Sequence, residues 1–323
     1  MGAFFKNKKV TLRRKMRRQR NYILTMLCAV ALLTGCGTGV EMKKAVTDRD
    51  VRRVAQQRER HGSSLRPFRD SVPAWQAGKR FFVTDDNARH LFAHSMAFDK
   101  DTMRLAGRTL VYRDYRVSTS VDNVPVVSLV FSAGDCELVY PTNKPLADFT
   151  SSFTIPLLID LDMVAHFAAQ LTGNHYFITT PLWCDPVTGE MKHGRKFVEV
   201  AIDSVLPGNK SLPLKVVFTA VGTGERGFVW MAGDNEVMYN RDFDSNFVAT
   251  DPRKNYPHIA QDVWQHIVDG TVADGMTKEE CRLSMGPPRE VSRRPSQSGL
   301  RELWLYDGGT VLTFDDGVLR LKP

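Results

Sequence analysis

Long apolar runs, cysteines and catalytic signatures are what this chain has least of. The apolar stretch near its start, Tyr22 to Leu33, falls short of the roughly 20 residues that a membrane-spanning helix needs, which excludes an ordinary transmembrane anchor there. Acidic residues are absent ahead of that stretch, where nine cations stand: Lys6, Lys8, Lys9, Arg13, Arg14, Lys15, Arg17, Arg18 and Arg20. Setting those nine aside turns the formal charge of +8 into about −1, so the basic isoelectric point gives no support to a nucleic-acid partner. Of five cysteines, Cys28 and Cys36 lie in or beside the basic, apolar head. The remaining Cys136, Cys184 and Cys281 are odd in number, which excludes a fully paired disulfide framework. A Cys136 to Cys184 bridge and three small buried hydrophobes are both compatible with the sequence.

Metal and nucleotide signatures are missing too. His90 and His94 have the four-residue spacing of two ligands on one helical face, but no Glu stands beside them and no third ligand is near, so they read as a loop pair. Gly222-Thr223-Gly224 lacks the strand-to-helix setting of a phosphate loop and reads as a hairpin turn. The acidic turns at Asp307 and Asp315-Asp316 lack the spaced oxygens of a calcium loop. No cofactor and no metal is expected.

What the N-terminus does carry is a basic head, a short apolar run and then Leu33-Thr34-Gly35-Cys36. The small residues before the cysteine resemble the lipobox of bacterial lipoproteins, which implies export, acylation of the Cys36 thiol and loss of residues 1–35; Met16 offers a second start with the same outcome. Residues 36–72 then form a lipidated N-terminus and charged linker, poor in large apolar groups and broken at Gly62-Ser63-Ser64. Its cations, Lys43, Lys44, Arg49, Arg52, Arg53, Arg58 and Arg60, are placed to rest on anionic headgroups or to lie solvated.

A pattern in the body occurs twice. Ala74-Trp75-Gln76-Ala77-Gly78 with Phe82-Val83-Thr84 matches Ala169-Gln170-Leu171-Thr172-Gly173 with Phe177-Ile178-Thr179. Gly107-Arg108 matches Gly194-Arg195, and Val127, Leu129 and Phe131 match Leu214, Val216 and Phe218. Shared parity means that both copies bury the same face of an equivalent strand, because strand side chains alternate. The fold expected is therefore mostly β: two tandem small antiparallel barrel or roll units, 73–140 and 173–233. Between them, 141–172 is a connector with an amphipathic helix from about Asp160 to Leu171, burying Leu161, Val164, Ala165, Ala168 and Leu171. Units of this size resemble bacterial SH3-like domains, a likeness that implies peptidoglycan as a candidate ligand. Residues 234–256, rich in Asp and Asn, form a second connector.

The last stretch, 257–323, has a helical stripe (Ile259, Ala260, Val263, Trp264, Ile267) ending at Gly270. Gly275-Met276-Thr277 then leads a helix with capping-box spacing at Thr277 and Glu280, stopped at Gly286-Pro287-Pro288. Strands at Leu303 to Tyr306, Thr310 to Phe314 and Val318 to Leu321 follow, joined by glycine turns. This module resembles the BamE/OmlA (SmpA) family of small outer-membrane lipoproteins. The resemblance implies two helices on a three-stranded antiparallel sheet and a non-catalytic accessory role in outer-membrane protein assembly. Trp304 and Tyr306 share one strand face opposite Leu303 and Leu305, which makes them candidates for binding a protein partner.

The function expected is that of a lipid-anchored envelope lipoprotein, attached through Cys36 to the periplasmic face of the outer membrane, that binds partners without catalysis. The alternative is a peptidoglycan-binding protein or a cell-wall-acting cysteine hydrolase, with Cys136 as nucleophile and His166 or His175 as base. Against the hydrolase, Glu137 follows the cysteine and the repeat places it on a strand, away from the helix N-terminus or cation that a thiolate needs.

Overall fold

A computed structural model describes residues 40–42, 65–93, 103–120, 123–150, 153–233, 241–296 and 299–321. Cys36, the basic head and, apart from Val40–Met42, the linker up to Ser64 lie outside these residues. The protein is mostly β, and its described residues form three antiparallel sheets and short helices. It divides into two compact units: 46–272 with 283–285, and 273–282 with 286–323 together with strand β1 (Val40–Met42).

The larger unit holds two sheets. The first comprises β2 (Arg80–Val83), β3 (Thr109–Thr119), β4 (Pro125–Ala133), β5 (Cys136–Lys144) and β6 (Leu158–Asp160), in the order β5-β4-β3-β2-β6. Helix α1 (Leu161–Leu171) follows β6 directly. The second sheet is built from β7 (His175–Ile178), β8 (Leu182–Cys184), β9 (Met191–His193), β10 (Val198–Pro207), β11 (Leu214–Ala220) and β12 (Arg226–Met231). The short helix α2 (Phe243–Asn246) runs into its last strand, β13 (Phe247–Val248), and the order is β13-β7-β10-β11-β12-β8-β9. Among the described residues no ladder joins the two edges of either sheet, so backbone pairing leaves both open; the expectation was a barrel or a roll, and these ladders close no barrel. Strand β6, foreseen as connector, completes the first sheet by pairing with β2.

Strand order is the same in both sheets over five positions, with β2, β3, β4, β5 and β6 answering to β7, β10, β11, β12 and β13. Finer details coincide. Gly78 and Gly173 both have positive φ, which glycine alone adopts without strain. Gly78 donates its N–H to the Tyr112 carbonyl, and Gly173 donates to that of Ile202. Just beyond Tyr112 and Ile202 each strand bulges, opposite Phe131-Val130 in one sheet and Phe218-Val217 in the other. The Thr84 hydroxyl donates to the Leu157 carbonyl ahead of β6, and the Thr179 hydroxyl to the Ser245 carbonyl just before β13. The matched glycines Gly107 and Gly194 differ: Gly107 has positive φ, while a Cβ on Gly194 would enter the Trp183 ring.

Two cores follow from the alternation. Val127, Leu129 and Phe131 bury against Phe81, Leu110 and Tyr112 in the first. Leu214, Val216 and Phe218 bury against Val200, Ile202 and helix α1 in the second. Asp160 caps α1 by accepting from the Asp162 N–H. The helix buries Val164, Phe167 and Leu171, while Ala165 is exposed, so its inner face is turned from the one foreseen toward Phe167. Each such side chain contributes roughly 1.5–3 kcal/mol of burial, enough to hold a three-turn helix that would be marginal alone. Helix α3 (Gln261–Asp269) ends at Gly270, which has positive φ, and buries Trp264, Ile267 and Val268.

Helix α4 (Lys278–Met285), which lies in the smaller unit up to Arg282, starts with both capping-box bonds between Thr277 and Glu280. The sheet contains β14 (Glu290–Ser296), β15 (Gly299–Leu305), β16 (Val311–Asp315) and β17 (Val318–Leu319), in the order β1-β14-β15-β16-β17. It has two strands more than the three read from the sequence.

Candidate functional site

Strand β2 begins just after Gly78, and its tight turn carries Lys79 inward, to 8% exposure. The ammonium meets Asp70 at 2.9 Å, Asp160 at 2.7 Å and Asp162 at 2.8 Å. The rings of Phe68, Trp75 and Phe81 surround it with centroids 5.5–5.6 Å from Nζ. Asp160 and Asp162 come from the β6-to-α1 junction, so the cluster ties the first sheet to the helix that packs on the second. Burial pulls the Lys79 pKa down, but hydrogen bonds to Asp160, Asp162 and Asp70 outweigh it and the net shift is upward. Burial holds the Asp160 carboxyl above the ordinary range in spite of Lys79.

Beside this cluster lies a cavity of about 200 Å³ between β2, β6 and α1 on one side and the β10–β11 turn on the other. Its apolar wall includes Phe68, Trp75, Phe81, Ile155, Leu158 and Met163. Asp70 and Asp160 border it at one place, and Asn209 and Lys210 at another. The indole N–H of Trp75, a residue only 9% exposed, is buried without a hydrogen-bond partner. Such a donor is uncommon, because buried polar groups are nearly always satisfied. Chemically the place is an apolar hollow bordered by charges of both signs; Lys79 itself, locked among carboxylates and charged, is not poised as a nucleophile or base.

The residues singled out by sequence lie elsewhere. Trp304 and Tyr306, the candidates for a partner, are buried at 0% and 6% exposure, which corrects that expectation. Trp304 packs on Phe314 with centroids 4.5 Å apart and under the Arg282 guanidinium at 4.7 Å, and the Tyr306 hydroxyl donates to the Gly286 carbonyl. The aromatic side of β15 is thus the one turned to the α4 helix and its end, while Leu303 and Leu305 on the other side are half-buried. Glu302, also on the inner side, is held by Lys278 at 2.6 Å and the Trp304 indole N–H at 3.1 Å.

Cys136 opens strand β5, with its Sγ 3.7 Å from the Glu137 carbonyl. The proposed bases are engaged elsewhere: His166 Nε2 with the Arg66 carbonyl and His175 Nδ1 with Glu199, each within 2.9 Å. None of Cys136, Cys184 and Cys281 is in a disulfide, so the Cys136 to Cys184 bridge does not form. Burial pushes the Cys281 thiol up to about 12. His94 lies outside the described residues, and among those described no cluster of His, Cys, Asp or Glu could hold a metal. No helix among them is long and apolar enough to cross a membrane.

Sequence reasoning passed over Lys79, Asp70 and Asp162 and used Asp160 only as a helix start. One signal was available: where the second copy reads Gly173-Asn174, the first reads Gly78-Lys79, a cation two residues ahead of the inward Phe81, although Asn174 itself is exposed. Compared with known protein families, with characterised proteins and with solved structures, the chain matches none.

Proposed function

We propose that the protein is a lipid-anchored envelope lipoprotein that binds a ligand without transforming it, held to the membrane through Cys36 and reading its ligand in the cavity beside Lys79. The observation that carries the binding part is the cavity itself: an apolar hollow with a fixed acidic edge, set between two sheets. Sites of that make-up are the usual form of small-ligand recognition. The anchor part rests on the basic head, the short apolar run and Leu33-Thr34-Gly35-Cys36. Acylation would confine the body to one surface and raise its effective concentration for anything held there.

Within this reading the larger unit is one β unit used twice. Common strand order, paired glycines, paired bulges and paired threonine bonds support that, and they are more than generic strands share by accident. Residues 257–323 serve as the BamE/OmlA-like module of an outer-membrane accessory, a reading supported by the capping box, the Gly286 stop and the antiparallel meander, although the first of its two helices, α3, falls in the larger unit.

The test is metabolic labelling with an alkynyl fatty acid, followed by mass spectrometry of the mature N-terminus. The label should sit on Cys36 and vanish in Cys36→Ala, which should also release the protein from the membrane fraction. An unacylated mature chain, or one that begins elsewhere, sinks the anchor. Crosslinking in intact cells tests the accessory role, for which capture of barrel-assembly components is the required outcome.

A further inference from the structure

We infer that the end of the smaller unit's sheet where β14 gives way to β15 rests on the phospholipid headgroup layer, held there by strand β1. This rests on the acylated Cys36 proposed above and gives the anchored surface a definite place in the fold.

Chain length sets the reach. Cys36 precedes Val40 by four residues, and four fully extended residues span about 14 Å at most. Strand β1 is paired antiparallel with β14, Val40 opposite Ser292 and Met42 opposite Glu290. An acyl group on Cys36 therefore keeps this sheet edge close to the bilayer. Were β1 unpaired, the first described residue after the anchor would be Leu65, 29 residues on, a reach of about 100 Å. Three paired residues thus bring the last module of the sequence to the membrane.

Direction follows from register. Read back toward Cys36, β1 runs the way β14 runs from Glu290 to Ser296, toward the end where β15 starts at Gly299. That end carries Leu300, 42% exposed, and the exposed Arg294 and Arg301. The two arginines stand directly opposite across the ladder, and like charges so placed destabilise a strand pair unless an anion answers them. Asp315 meets Arg301 at 2.7 Å, and Asp316 accepts the Leu300 N–H at 2.9 Å. Among the described residues no carboxylate is paired with Arg294. An apolar side chain beside arginine stems suits the headgroup boundary, where guanidinium groups find phosphate and the hydrocarbon leaves water. The other end of β15 closes at the acidic turn Asp307-Gly308-Gly309, about 20 Å from Leu300 at six residues of strand rise.

Depth-dependent quenching tests this on the mature, acylated chain in phosphatidylcholine vesicles that carry a headgroup-nitroxide lipid. A fluorescent amino acid introduced by codon suppression at position 300 or at position 307 reports on each end. Quenching should be at least threefold stronger at 300 than at 307. A long glycine-serine insert between Gly37 and Thr38 lengthens the tether without touching β1 and should bring the ratio to about one. A ratio near one without the insert, or a reversed ratio, overturns this inference and leaves the anchor standing, provided mass spectrometry finds the acyl chain on Cys36. A chain that lacks the acyl group or leaves the vesicles overturns both readings. A threefold ratio that survives the insert removes β1 as the cause and overturns the strap.

Discussion

Replacing Lys79 by Met keeps the aliphatic stem among Phe68, Trp75 and Phe81 and removes only the charge. The structure sets the cost. Asp70 and Asp160 have side chains 20% and 17% exposed and would lose their shared cation, whereas Asp162 at 56% can turn to water. Stripping one partner from a buried ion pair costs about 3–5 kcal/mol, and these carboxylates are incompletely buried, so the lower end applies. Lost attraction to three aromatic faces adds up to about 1 kcal/mol. We expect Lys79→Met to lose about 3–4 kcal/mol, measured by urea denaturation with tryptophan fluorescence, while Asp162→Asn loses less than about 1 kcal/mol. The pH dependence has a definite sign. Without Lys79 the Asp160 folded-state pKa, already raised by burial, climbs further, and an acid raised on folding adds stability at low pH that disappears as pH rises through the folded pKa. The gap between wild type and variant should therefore narrow as pH falls through the carboxylate range. A loss under about 1 kcal/mol at neutral pH, or a gap that stays constant into acid, would refute the picture of a tightly coupled cluster.

Lys196, 6% exposed, donates from Nζ to the Ser284 carbonyl, and burial lowers its pKa to about 8. Between pH 8 and the unperturbed value of 10.5 the unfolded chain binds the extra proton, so stability should rise with pH there, by about 3 kcal/mol at 1.36 kcal/mol per unit; Lys196→Met should flatten that rise in a series of melts. A Cβ on Gly194 would fall 2.1 Å from the buried Trp183 ring, so Gly194→Ala should destabilise by about 1–3 kcal/mol. Gly107→Ala meets no atom within 4 Å, and its cost should come from positive φ alone, so only the Gly194 change should disturb the near-ultraviolet dichroism of the tryptophans.

How much of this the sequence disclosed can be seen at particular residues. Phe82-Val83-Thr84 and Phe177-Ile178-Thr179 could be paired by eye because burial enforces their parity, and they sit at equivalent places in the two ladders. The bulges after Tyr112 and Ile202 were invisible, since an extra residue shifts parity without any change in residue type. Strand β6 was missed because three residues, Leu158 to Asp160, give no period. The Lys79 cluster gathers residues from 70 to 162, and local pattern cannot show a meeting of charges so far apart in the chain. Trp304 and Tyr306 were correctly placed on one face, but alternation does not say which face the α4 helix covers.

Asn174 stands in the second sheet where Lys79 stands in the first, each lending its carbonyl to the bulged neighbour strand. The molecule therefore contains its own control experiment. Transplanting Lys and Asn between the two positions asks whether recognition belongs to the scaffold, which both halves share, or to a few side chains that only one of them acquired.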